Sequence, residues 1–355
     1  MTLFFHEPPA PQKVGGLELA VRSLEAYLLA SGIPVKSEAD FASETGSVPD
    51  AVVHFHGLWQ PQFLRASRRC RACGIPYVVS PHGMLEPWAW RHKRWKKWPY
   101  FLLFERSHLR GAASFLATSE MEAHNLRKFF PRSKCAVIPL GLPDLHPPDY
   151  PAARQRLGWQ PTEKVLLFLS RIHPKKGLDL LLEALAAFAP GEVKGLRLVV
   201  IGGGAAAYIN RLRALVEQRK AHLPRVDWLG EIWGEKKWSF LQGADLFCLP
   251  SFSENFGLAV LEALQVGTRV LTTNAGPWEF LPGWHAGLIV QPRADSVQQG
   301  LRAFFAWTDW TDQQRLRLAD RVRNKFGWET VGPAYLSLYR NLGAGTTGPQ
   351  DYRTT

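Results

Sequence analysis

Short apolar runs of strand length alternate with longer stretches of helical period along the whole chain, the pattern of βα units winding a parallel sheet. In the first half the runs Leu3–Phe5, Ala51–Phe55, Tyr77–Val79, Ser114–Ala117 and Ala136–Ile138 predict strands, with helices over Leu17–Leu29 and Ser119–Phe129 among those between them. The second half repeats the scheme at Val165–Leu169, Arg197–Ile201, Val226–Leu229, Leu246–Leu249, Arg269–Thr272 and Gly287–Val290. Between the halves, Leu142–Pro151 carries four prolines in ten residues, which stop both helix and central strand. The pattern therefore predicts an α/β protein of two doubly wound, Rossmann-like domains. Such sheets bind ligands at the carboxyl ends of their strands, so a central cleft faced by both is the expected site.

A length of 355 residues with 46% hydrophobic and 21% charged residues suits two domains with cores of their own and excludes wholesale disorder. Four cysteines make no disulfide framework. The N-terminus shows no secretory pattern and no apolar run reaches about 18 residues, so the expectation is a cytoplasmic protein with at most peripheral membrane contact. The formal charge of +12 favours an anionic partner, and the segment from Arg91 to Lys134 alone carries net +8.

Two motifs bear chemistry. Pro250 to Leu264 runs from a strand into a loop with Glu254 and Asn255, and Gly257 then opens a helix bearing Glu262. Free N–H groups around Phe256, Gly257 and Leu258 at such a helix start form an anion site. Taken alone, Glu254 reads as a helix-start carboxylate and Glu262 as a solvated helix charge. The second motif, Ser170-Arg-Ile-His-Pro-Lys-Lys-Gly177, puts Arg171 and Lys176 at the carboxyl end of a strand. A planar fork beside a point charge suits a diphosphate, although a solvated basic turn has the same composition.

Together, Arg171, Lys176, Gly177 and the E-x7-E pair Glu254/Glu262 around Phe256-Gly257 resemble the retaining glycosyltransferases of family 4, which have the GT-B fold. The likeness extends in order to Gly15-Gly16, His54-Phe-His-Gly-Leu-Trp59, Ser80-Pro-His82-Gly-Met84, Thr118-Ser-Glu-Met-Glu122 and Phe326-Gly-Trp-Glu-Thr330. It is strongest toward bacterial surface-polysaccharide enzymes. The resemblance implies a first domain on the acceptor side (1–145, with a returning helix at about 329–342) and a nucleotide-sugar-binding domain (146–328); the tail (343–355), rich in Gly, Thr and Pro, is expected to fray. It implies that Arg171 and Lys176 grip the donor diphosphate with backbone at Gly15, Gly16 and Phe256 to Leu258. Glu262 would hold the ribose, Glu254 the transferred sugar, and Glu231 or Ile232 would lie near the base. His82 would stand near the anomeric carbon, with His56, Trp59 and Met84 on the acceptor side. Leu140, where many relatives carry Asn before the glycine, is a departure at the hinge.

The expected reaction moves a hexose from a UDP- or GDP-sugar to a glycan or polyprenyl-linked glycan with retention. Asp-x-Asp pairs are absent from the sequence, so no metal and no cofactor are expected. A GT-B sugar-nucleotide epimerase and a basic binding protein without turnover are the alternatives.

Other features read as structural. Gly202-Gly-Gly204 lacks the third glycine of a dinucleotide fingerprint and predicts a tight turn, and Cys70-x-x-Cys73 has no partner pair for zinc. His54 and His56 alternate on a strand, which places one toward the cleft and the other toward the core. Trp88–Phe104 interleaves four tryptophans with five Lys/Arg. It reads either as an anionic-membrane surface or as a helix with aromatics in the core and cations in water; no nucleic-acid motif accompanies it.

Overall fold

The computed structural model describes residues 1–8, 15–44, 48, 50–91, 94–143, 145, 147–189, 191–307 and 310–345. Asp144 and His146 of the proline-rich segment, His92 and Lys93 of the aromatic segment and 346–355 of the expected tail lie outside the described residues. The chain divides into two units, Met1–Asp144 with Asn324–Thr355, and Leu145–Arg323.

Unit 1 is built on a parallel sheet of β1 (Thr2–His6), β2 (Val35–Ser37), β3 (Ala51–His56), β4 (Tyr77–Ser80), β5 (Ser114–Ala117) and β6 (Cys135–Val137), in the order β2-β1-β3-β4-β5-β6. β3, β4 and β5 are buried at every position, which is why they read as unbroken apolar runs. β2 escapes the pattern because it is a three-residue edge strand with two exposed positions. The last helix, Trp328–Gly343, packs Val331, Tyr335, Leu338 and Tyr339 into one core with Leu3, Val52, Val78 and Leu116. A second core on the other side of the sheet gathers Phe4, Val53, Phe55, Tyr77, Val79 and Phe115.

Unit 2 has β7 (Lys164–Leu169), β8 (Leu196–Ile201), β9 (Arg225–Gly230), β10 (Leu246–Leu249), β11 (Arg269–Thr273) and β12 (Gly287–Val290), all parallel, in the order β12-β11-β10-β7-β8-β9. Chain order leaves β7 toward β9 on one side and β10 toward β12 on the other, so the switch point lies between β7 and β10. A buried network fixes that pair at its amino end. Asp245 accepts from the Val165 amide at 2.7 Å, from Tyr150 Oη at 2.9 Å and from Arg154 at 3.1 Å. At the opposite end the same two strands release the loops that carry Arg171, Lys176 and Glu254.

Candidate active site

After β7 the chain makes a 3-10 turn, Pro174–Lys176, in which His173 Nδ1 accepts the Lys175 amide at 3.1 Å. Gly177 ends it at φ +69°, and a Cβ there would collide with the Pro250 carbonyl, so the turn closes only on glycine. The Phe252 amide donates to Lys175 O at 2.8 Å, tying this turn to the loop after β10. Lys176 Nζ donates to Glu254 Oε1 at 2.7 Å, and Ser251 Oγ donates to the same oxygen at 2.6 Å. Burial of Glu254 would raise its carboxyl, but the Lys176 ammonium, its hydrogen bond, Ser251 and Lys175 outweigh this and hold it below the usual range. The pair is thus an ionised couple beneath the switch point.

Three residues on, Gly257 is the left-handed N-cap of the helix Leu258–Gln265, and no side chain caps this start. Amides at such a terminus carry the positive end of the helix dipole. Phe256 packs against the fully buried Trp278, whose ring a Cβ at Gly257 would meet at 3.1 Å. Asn255 is partly exposed. Glu262 is not a solvated helix charge. It is buried, Lys237 Nζ donates to its Oε1 at 2.7 Å, and burial, offset in part by Lys237, raises its carboxyl.

Arg171 stands exposed between Ser170, whose amide donates to Ile201 O at 3.1 Å, and Ile172, whose amide donates to Gly203 O at 2.7 Å. Side chains at Gly202 and Gly204 would strike the Ser170 and Ile172 carbonyls, and one at Gly203 would strike the Glu231 carboxylate. The glycine run is a turn that brings the Arg171 loop and Glu231 together after β7, β8 and β9. Glu231 is exposed and Ile232 partly so.

In unit 1 the switch point lies between β1 and β3. Gly15 and Gly16 begin the helix Gly15–Ala30, Gly16 exposed. The loops after β3 and β4 meet: the Gly57 amide donates to Ser80 O at 2.8 Å, and the Leu58 amide points at Met84 Sδ, 3.1 Å away. His82 takes φ +50° and Gly83 φ +74°, consecutive left-handed residues. The His82 and His56 rings stack at 19° with His56 Nδ1 3.3 Å from His82 Nε2, and burial pushes His82 down to about 4. Trp59, at φ +69°, has its amide on Glu105 Oε1 at 3.3 Å.

The expected opposition of His54 and His56 is corrected. Residues two apart on a strand share a face, and their ring centroids are 3.7 Å apart, both buried. His54 is occupied on both nitrogens, by Tyr339 Oη and Ser80 Oγ at 2.8 Å each.

The segment Trp88–Phe104 forms the helices Pro87–Arg91 and Arg94–Tyr100 and a π-helical turn Phe101–Glu105. Its aromatics do not all face the core. Trp95 is 74% and Leu103 71% exposed, with Trp98, Leu102 and Phe104 also at the surface, and Trp90, Trp95, Trp98 and Pro99 line an open recess of about 590 Å³.

Sequence reasoning missed Lys237 and Ser251, and placed Glu122 in the family likeness without a role; buried, its carboxylate accepts the Gly83 amide. For Glu122 the Ser-x-x-Glu spacing of a capping box is a further local signal.

Two family models match successive parts of this chain: "Glycosyl transferase 4-like domain" matches residues 5–141 and "Glycosyl transferases group 1" matches 149–322. The chain belongs to the GT-B glycosyltransferases of family 4 type. Among curated relatives of this family, the D-inositol 3-phosphate glycosyltransferase of Nocardia farcinica is 32% identical over 65% of this chain and 50% of its own length. The chain thus spans about half the length of the curated relatives it matches. Among solved structures, HepE of Anabaena in complex with UDP aligns with a TM-score of 0.73 at 17% identity, over 96% of this chain and 100% of that one. Sucrose-phosphate synthase of Thermosynechococcus elongatus aligns at 0.71 and 20% identity, over 97% and 99%.

Proposed function

We propose that this glycosyltransferase moves a hexose from a nucleotide-diphosphate sugar to a glycan or lipid-linked glycan, with retention and without a metal, in surface-polysaccharide assembly. The observation that carries the reading is the Lys176–Glu254 pair beside an uncapped helix start at the β7/β10 switch point. UDP is the first candidate nucleotide, since HepE has been solved with UDP and with UDP-glucose.

In this reading Lys176 and Arg171 meet the diphosphate, and the amides of Phe256 to Leu258 extend the positive field. Charge develops on the bridging oxygen as the bond from the anomeric carbon breaks, and fixed cations aimed there lower the barrier. Glu254, kept ionised, accepts from sugar hydroxyls, and Glu262 from the ribose. The acceptor oxygen bonds to the anomeric carbon on the face the phosphate leaves, and its proton passes to that phosphate, so no enzyme nucleophile is needed. His82, with His56, Trp59 and Met84, serves the acceptor side.

Exposed Trp95, Trp98 and Leu103, with Lys96 over the Trp95 ring at 4.8 Å, fit the headgroup region of an anionic leaflet. Flotation with anionic liposomes at low salt reads this out: recovery with the vesicles supports it, and absence from them removes the membrane part. For the reaction, the test is turnover in EDTA with the anomeric configuration of the product read by NMR. An α product from an α donor supports the reading, whereas inversion or a strict metal requirement contradicts it. A new nucleotide sugar from donor alone reveals an epimerase instead.

A further inference from the structure

Glu122 stands at the third position of the helix Glu120–Phe129, behind the N-cap Ser119, whose hydroxyl accepts the Glu122 amide at 3.2 Å. In an ordinary capping box the glutamate would turn back to the Ser119 amide. Here it turns across the sheet instead. Oε1 accepts the Gly83 amide at 2.7 Å, and Oε2 accepts the Thr118 amide at 2.8 Å and Thr118 Oγ1 at 3.0 Å. The side chain is 2% exposed.

We infer that Glu122 is a positioning residue acting through His82, its carboxylate clamping the left-handed His82–Gly83 turn so that the imidazole keeps its place against His56. Left-handed backbone is disfavoured for a β-carbon-bearing residue, so the His82 conformation persists only where neighbours over-determine it. The acceptor at Gly83 N–H supplies that constraint from one side, and the His56 contact orients the ring from the other. A carboxylate alone among side chains presents two acceptor oxygens and no donor, which is what two amides and a hydroxyl converging from separate loops require. The inference rests on the proposed acceptor-side role of His82.

Glu122→Gln keeps the shape but turns an NH2 toward an N–H, and Glu122→Asp keeps the charge but shortens the reach. Both are read in the full chain with the nucleotide sugar chosen by a binding panel. Misplacement of a reacting group by about 1 Å costs on the order of 10²-fold, so kcat should fall by about that factor in Glu122→Gln and less in Glu122→Asp. Calorimetric affinity for UDP should stay within about 2-fold, as Arg171, Lys176 and Glu262 belong to unit 2, and a parent-like circular dichroism spectrum and melt certify that unit 1, which holds Glu122, is folded. Hydrogen exchange across 82–86 should quicken, and Glu122→Gln should cost little further in a His82→Ala background. Unchanged exchange, or losses that multiply in the double variant, would overturn the clamp. If His82→Ala turns over like the parent, the role of His82 itself fails, while the exchange result still judges the clamp separately.

Discussion

Replacing Lys176 with Met removes the ammonium but keeps the volume, leaving Glu254, 5% exposed, with the Ser251 hydroxyl as its remaining short hydrogen bond to the carboxylate. Breaking a buried ion pair from one side costs about 3–5 kcal/mol, and because the Lys176 side chain is 18% exposed the low end applies, about 3 kcal/mol. For a unit of this size that is a fall in Tm of about 6–12 °C. The pH dependence has a definite sign. In the parent, the folded-state carboxyl lies below its ordinary 4.5, so its stabilising contribution is present above the unfolded value and is lost as pH falls through the folded one. In the variant, burial acts with less opposition and raises the carboxyl, so Glu254 destabilises at neutral pH and is relieved on acidification. Thermal melts of both proteins at pH 7 and pH 4 should therefore differ widely at the first and by less at the second. An equal gap at both pH values, or a loss under about 1 kcal/mol at pH 7, would refute the picture of an ionised, buried Glu254 held by Lys176.

Gly177→Ala should destabilise by at least about 2 kcal/mol in urea titration, since it adds a left-handed alanine to a collision with Pro250; a change under about 0.5 kcal/mol would disprove the close approach. Tyr339→Phe leaves His54 Nδ1 without its partner and should cost about 1–3 kcal/mol, measured by the same titration. Glu262→Ala strips the buried Lys237 of its carboxylate, so stability should drop about 3 kcal/mol at pH 7. Because burial already holds Glu262 above 4.5, the parent gains stability as pH falls through that raised value, and the variant should lack this gain.

The fold was largely legible because parallel strands buried on both faces leave short apolar runs at regular intervals between helical stretches, as β7 and β10 show. Local pattern could not carry the short polar edge strand β2, whereas the shared face of His54 and His56 follows from the strand period and was misassigned. Glu254 and Glu262 were visible through their spacing, yet their partners were not. Lys176 is 78 residues from Glu254, Lys237 is 25 from Glu262, and Gly83 is 39 from Glu122. Pairs of that separation are chosen by the winding of the sheet, and nothing in either local sequence marks them. The exposed face of Trp95 and Leu103 was equally unreadable, since the aromatic composition fits core and surface alike.

Isothermal calorimetry of UDP in EDTA, run on the parent chain and on Arg171→Ala, tests most directly whether the loops after β7 and β10 hold a diphosphate. The account predicts saturable one-site binding to the parent and an affinity at least about 10-fold weaker in the variant, the loss of one charge-assisted contact. Equal affinity in both proteins, or no binding of UDP, GDP or ADP by the parent, would contradict it.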